Sequence, residues 1–146
     1  MTAWDLPEPY VLTMTVPDEA IDVMGHANNC EYLRWLERIA WAHTEALGLG
    51  WDVYQTLNRG MVARHTELEY LAAAFAGDEL QIGTWIVEND QRLSIVRRYQ
   101  IVRVSDQATL LRGRTRWVCV ALDSGRPKRM PPEFVSGYAV TADEAC

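Results

Sequence analysis

One stretch of this 146-residue chain, about Asn29 to Leu47, repeats apolar residues at helical spacing over a long run. Leu33, Leu36, Ala40, His43 and Leu47 share a face, and Arg34, Glu37, Arg38 and Glu45 lie elsewhere on the wheel. Asn28 or Asn29 suits its start and Gly48 its stop. Almost everything else reads as strand. Tyr10 to Val16 alternates before the helix. Met61–Tyr70, Glu79–Glu88, Leu93–Val104 and Thr109–Leu122 follow it, rich in Val, Ile, Thr, Tyr and Trp. Turn compositions at Ala76-Gly77-Asp78, Asn89-Asp90-Gln91 and Ser105-Asp106-Gln107 separate the last four strands by hairpin-length gaps. Trp51–Leu57 suits a short second helix, and Pro131–Phe134 a final helical turn. The layout is α+β: a curved antiparallel sheet of about five strands wrapped around one long central helix. Such a half-covered sheet keeps an edge and a face to hide. A homodimer that extends the sheet, or a homotetramer, is therefore expected.

The chain shows no repeat, linker or low-complexity tract, so residues 1–146 read as a single domain with its core at about 8–136. No apolar run approaches the roughly 20 residues of a membrane helix, and no membrane insertion is expected. The N-terminus has no basic-then-apolar order of a secretory signal. Cys30, Cys119 and Cys146 form neither a metal-ligand spacing nor a disulfide framework, which fits a cytoplasmic setting. Three scattered histidines, His26, His43 and His65, suggest no metal site. A net charge of −6 argues against nucleic-acid binding. Most basic residues nevertheless lie at or after Arg59, and local arginine clusters of this kind can hold a phosphorylated small molecule.

The segment Asp22-Val-Met-Gly-His-Ala-Asn-Asn-Cys-Glu-Tyr32 runs directly into the long helix. It places a carboxylate beside a helix N-terminus, where free backbone N–H groups stabilise negative charge. Two readings are open on the residues alone. Asp22 is a catalytic base, or it is a turn aspartate bonding nearby N–H groups. Asn29 offers an oxyanion donor, or it is part of a plain cap.

This segment resembles that of the hotdog-fold thioesterases, in the branch of 4-hydroxybenzoyl-CoA thioesterase and related small acyl-CoA thioesterases. Asp22, Gly25, His26, Asn28, Asn29 and Tyr32 carry the resemblance, followed by Leu33-Arg-Trp-Leu-Glu37. Glu67-Leu-Glu-Tyr-Leu71 before Gly77-Asp78, the strand Gly113–Leu122 and the loop Gly125–Pro131 add to it. The pattern departs at Ala20, where many relatives carry a second aspartate, and at Asn29, where some carry histidine. The resemblance implies hydrolysis of an acyl-CoA to a free acid and coenzyme A, with no cofactor beyond the coenzyme A of the substrate. It implies Asp22 as general base or nucleophile and the Asn29 backbone N–H as oxyanion donor. His26 and Asn28 support them, and the site lies at a dimer interface.

Further candidates are Tyr32, and Glu67 as a pocket residue. Arg97 with Arg98, and Arg126 with Lys128 and Arg129, are candidate clusters for the phosphates of coenzyme A. Arg112, Arg114 and Arg116 alternate on one strand face, as a solvated outer face or as a basic surface. Trp41, on the charged side of the helix, suits a subunit contact or the wall of an acyl pocket. Two other functions stay in view: hydrolysis of an acyl-carrier-protein thioester, with the arginine stripe docking the acidic carrier, and a non-catalytic module that binds an acyl ligand.

Overall fold

In the computed structural model, which describes residues 3–144, the long helix α1 spans Asn29–Ala46 and the short helix α2 spans Trp51–Leu57. The strands are β1 (Tyr10–Thr15), β2 (Gly60–Tyr70), β3 (Glu79–Asn89), β4 (Ser94–Arg103) and β5 (Thr109–Val120), and α3 (Pro132–Gly137) closes the chain. Every element expected from the sequence is present, with ends that differ by a few residues. A 3-10 turn at Asp18–Ala20 is additional.

The five strands form one antiparallel sheet in the order β1-β3-β4-β5-β2. Successive hairpins build the centre, and β2, formed just after the helices, returns to pair with the last strand. Both β1 and β2 are therefore edges. The β2 edge is long and exposed, with a bulge between Ala63 and His65.

Helix α1 lies on the inner face of this sheet. Tyr32, Trp35, Leu36, Ile39 and Ala40 are buried against Leu80, Ile82, Tyr99, Ile101 and Leu111. Each large side chain so removed from water contributes about 1.5–3 kcal/mol. Packing is tight at Gly113, where an added Cβ would lie 3.0 Å from Leu68 and 3.3 Å from both Leu36 and Tyr99. Leu33 does not belong to the core face: it is 47% exposed, and Tyr32 and Trp35 take the inward positions. The helical period alone leaves such a rotation undetermined by about one residue.

The outer face is less bare than the sequence suggested. The flanking segments cross it, and Leu6 and Ala142 pack on Trp85, Val87 and Val96 with Trp4 alongside. Trp85 donates its indole N–H to the Pro7 carbonyl at 2.9 Å. Among the described residues, no helix is long and apolar enough to cross a membrane.

Candidate active site

Asp22 sits on a small hairpin closed by a bridge between Ile21 and Ala27. Its backbone N–H donates to the His26 carbonyl, and its own carbonyl accepts the Gly25 N–H at 3.0 Å. Gly25 has φ +86°, which strains any residue with a Cβ, so glycine closes the turn. The Asp22 carboxylate accepts the Met24 N–H through Oδ1 at 2.8 Å. Oδ2 has no hydrogen-bond partner among the described residues, which leaves it open to act on a substrate or a water. Val23 and Met24, at the tip, are exposed.

The hairpin leads straight into the helix. The Asn28 N–H donates to Ala20, which ties the strand of the turn to the helix start. Asn28 is the N-cap, and its Oδ1 accepts the Cys30 N–H at 2.9 Å. Its carbonyl accepts the Glu31 N–H. The Asn29 N–H, between these, meets no acceptor among the described residues. The cap therefore satisfies its neighbours and leaves one donor free at the positive end of an 18-residue helix. An open carboxylate oxygen and an open helix N–H, held by one short hairpin, can serve base and oxyanion roles together.

Two exposed aromatic residues border this hairpin, and neither was anticipated. The Tyr70 hydroxyl donates to the Asn29 carbonyl at 3.2 Å. Phe75 packs edge-on to the His26 ring at 6.3 Å. Burial, with Cys30 and Tyr32 adding to it, raises the Tyr70 pKa. The only signal in the sequence was the fall of Tyr70 at the end of a strand, which is too weak to assign a role.

A family model of the thioesterase-like superfamily matches residues 16–137. The chain belongs to that superfamily. The architecture of this superfamily member is the hotdog fold, and solved structures superpose on it over most of their length. A 1,4-dihydroxy-2-naphthoyl-CoA thioesterase from Synechocystis is 17% identical, with TM-score 0.79, covering 90% of this chain and 96% of its own. A Staphylococcus aureus protein solved in complex with CoA is 16% identical, with TM-score 0.82, covering 89% and 81%. A DHNA-CoA thioesterase from the same organism is 18% identical, with TM-score 0.79, covering 88% and 87%. Comparison with curated protein sequences found no significant match.

Within this superfamily member several expected site residues stand elsewhere. Tyr32 is a core residue, 3% exposed, and its hydroxyl accepts the Ala74 N–H at 2.9 Å. It shapes the site only from beneath. His26 contacts Asp22 through its backbone carbonyl, and its ring has no hydrogen-bond partner among the described residues. Glu67 is on the outer face, bonded to His65 at 3.0 Å and paired across the ladder with Arg114, because Leu68 takes the inward position. It lines an open cleft on that face together with Arg98, Arg112 and Arg114, away from the Asp22 hairpin.

Arg97 and Arg98 do not form one cluster, because consecutive strand residues point to opposite faces. Arg98 is outside, near Asp5 at 3.6 Å and Glu144 at 3.9 Å. Arg97 is inside, 2% exposed. The stripe of Arg112, Arg114 and Arg116 is likewise outside, and carboxylates occupy it. Asp5 holds Arg112 at 2.6 Å, and Glu88 and Glu144 hold Arg114 at 2.6 and 3.0 Å. Arg116 reaches Glu88 at 3.5 Å. Little free positive charge remains there to dock an acidic carrier. Arg126, Lys128 and Arg129 are exposed on the closing loop, anchored by backbone bonds to Ala121 and Cys119.

Cys30 is exposed and Cys119 is buried, where burial pushes its thiol up to about 11, with Arg59 opposing. Cys146 lies outside the described residues. No group of three or more metal-ligating side chains occurs among the described residues.

Proposed function

We propose that this thioesterase-like protein hydrolyses an acyl-CoA to a free carboxylic acid and coenzyme A. The observation that carries the reading is the pairing, on one hairpin, of an open Asp22 Oδ2 with the unpartnered Asn29 N–H. The thioester oxygen binds at the Asn29 N–H, where negative charge grows as the carbonyl is attacked. One such preorganised donor contributes on the order of 3 kcal/mol to the barrier. Asp22 either takes the proton of an attacking water or attacks directly to give a mixed anhydride that water opens. In both routes the carbon–sulfur bond breaks and coenzyme A leaves as the thiol. With Asp22 as base the oxygen of water enters the acid. With Asp22 as nucleophile water opens the anhydride at the Asp22 carboxyl carbon, so the acid keeps an Asp22 oxygen and the oxygen of water stays on Asp22. The CoA thioesterases among the structural neighbours, and the neighbour solved with CoA, support this substrate class.

The active unit is a homodimer. Pairing of two β2 edges about a two-fold axis is antiparallel. It places the Tyr70 end of one β2, which touches Asn29, beside the Gly60 end of the other. The exposed Arg126–Arg129 loop of one subunit then borders the helix N-terminus of its partner and can meet the phosphates of coenzyme A. Contacts this exposed should be weak and salt-sensitive.

Asp22→Asn should abolish acyl-CoA hydrolysis while fold and dimer persist. Retention of most activity would overturn the assignment. Single-turnover hydrolysis in labelled water separates the two routes: a nucleophilic Asp22 acquires the label in its carboxylate, and a base does not.

A further inference from the structure

Arg97 presents an unusual balance of charge. It is a fully buried cation, on the inner face of β4, and no carboxylate forms an ion pair with it among the described residues. Its Nη1 donates to His43 Nδ1 at 2.8 Å and to Thr84 Oγ1 at 3.3 Å, both neutral acceptors. Its Nε and Nη2 find no acceptor there. Guanidinium does not relieve burial by releasing its proton. A buried, unpaired charge of this kind is strongly unfavourable unless an anion accompanies it.

The side chain faces a cavity of about 60 Å³, lined also by Trp41, Thr44, Tyr54, Trp117 and Tyr138. The walls are aromatic, and hydroxyls, an indole N–H and the Glu37 carboxylate also line it. The Tyr54 and Tyr138 hydroxyls bond to each other, and Tyr138 also meets Thr44 at 3.1 Å. The Trp117 indole N–H is buried without a well-directed partner, although it approaches the Tyr99 hydroxyl. Exposed Glu37 lines the cavity too, without pairing to Arg97, and Trp41, 39% exposed, opens it toward solvent. The volume holds several water-sized groups and is too small for a ring system.

We propose that this cavity is the distal end of the acyl site and receives a carboxylate carried by the acyl chain, so that the substrates are monothioesters of dicarboxylic acids. The inference rests on the thioesterase reading above. The cavity lies far from the Asn29 N–H of its own chain, since Asn29 and Thr44 are separated by fifteen residues of helix, or roughly 22 Å. Met61, which also lines it, is at the Gly60 end of β2. Pairing of two β2 edges brings that end to the partner's helix N-terminus. The acyl chain then runs from the oxyanion donor of one subunit to Arg97 of the other.

The decisive experiment compares glutaryl- and adipyl-CoA with the uncharged valeryl- and hexanoyl-CoA on the unaltered protein. A charge-assisted pair in a largely buried site should favour the charged member by tenfold or more in kcat/KM. Arg97→Met should erase the ratio, and Arg97→Lys should keep part of it. Equal or better turnover of the uncharged chains by the unaltered protein overturns the proposal, whether or not the variants fold.

A second arm needs no hydrolysis. Adipate added to Asp22→Asn protein should shift the Trp117 indole resonance, and hexanoate at the same concentration should not. An equal response to sulfate would mark a general small-anion site and also overturn the proposal. If adipate binds but no acyl-CoA is hydrolysed, the Asp22 reading fails separately.

Discussion

His43 should make this protein lose stability as the pH falls below 6.5. Its ring is buried on the inner face of α1, stacked on Tyr10 at 4.8 Å. Nδ1 accepts a hydrogen bond from the Arg97 guanidinium, so the neutral ring carries its proton on Nε2. Burial, reinforced by the Arg97 charge, holds its pKa down at about 4 against an ordinary 6.5. Between these values the unfolded chain binds a proton that the folded chain refuses. Stability is complete above pH 6.5 and falls toward pH 4, by about 3 kcal/mol in all. At pH 5 the loss is already ~2 kcal/mol. That moves a urea midpoint by about 1 M for a typical small domain. The control is His43→Gln, whose amide oxygen can still accept from Arg97 but does not titrate in this range. Its lost stacking is independent of pH, and all other carboxylates and histidines are shared. The stability difference between the two proteins should therefore shrink by ~2 kcal/mol from pH 7.5 to pH 5. A difference that stays constant would refute the neutral, charge-opposed environment assigned to His43.

Two smaller perturbations probe the hairpin and the cap. Asn28→Ala removes the acceptor of the Cys30 N–H and should cost about 1 kcal/mol in chemical denaturation. Gly25→Ala and Gly48→Ala replace glycines at φ +86° and +80° with open space around both, so each should lose about 1 kcal/mol. Only the first should also reduce acyl-CoA hydrolysis, because only Gly25 closes the turn that carries Asp22; equal activity in the two variants would argue against that role.

The fold was legible because its strands alternate and its turns carry Gly, Asn and Asp in short gaps. The helix was legible from its period and from Asn28 and Gly48 at its ends. What stayed hidden depended on contacts remote in sequence. Which of two adjacent arginines on β4 faces inward follows from the register that sets Arg97 opposite Thr115 and Arg98 opposite Arg114. Hydrophobicity cannot supply this, because an inward arginine breaks the pattern that would reveal it. The arginine stripe looked like free positive charge because its partners, Asp5 and Glu144, come from opposite ends of the chain. Tyr32 looked like a site residue because it adjoins the motif, yet one helical step rotates it into the core. The Asp22–Asn29 hairpin was readable as a unit, since the bonds that close its turn and cap the helix lie within about ten residues, while its contacts to Tyr70, Ala74 and Phe75 were not legible.

On the reading proposed above, the chemistry at Asp22 and the acyl recognition at Arg97 lie on distant parts of one chain and meet only across the β2 edges of a dimer. This arrangement has a consequence that a mixture of two damaged proteins can expose. In Asp22→Asn chains the base is lost and the Arg97 cavity is intact. Arg97→Met chains have the reverse. Each homodimer should be poor on a dicarboxylic monothioester. A mixed dimer is different if each site joins Asp22 of one subunit to Arg97 of the other. One of its sites then combines both defects, and the other combines both intact residues. With equal amounts and free exchange, half the dimers are mixed, so about a quarter of the wild-type activity should return. If Asp22 and Arg97 of the same chain formed the site, no mixed dimer would contain an intact one, and nothing would return. The same mixture must run at twice the 16.6 kDa mass of the chain, or a multiple of that, because a monomer has no edge across which to share.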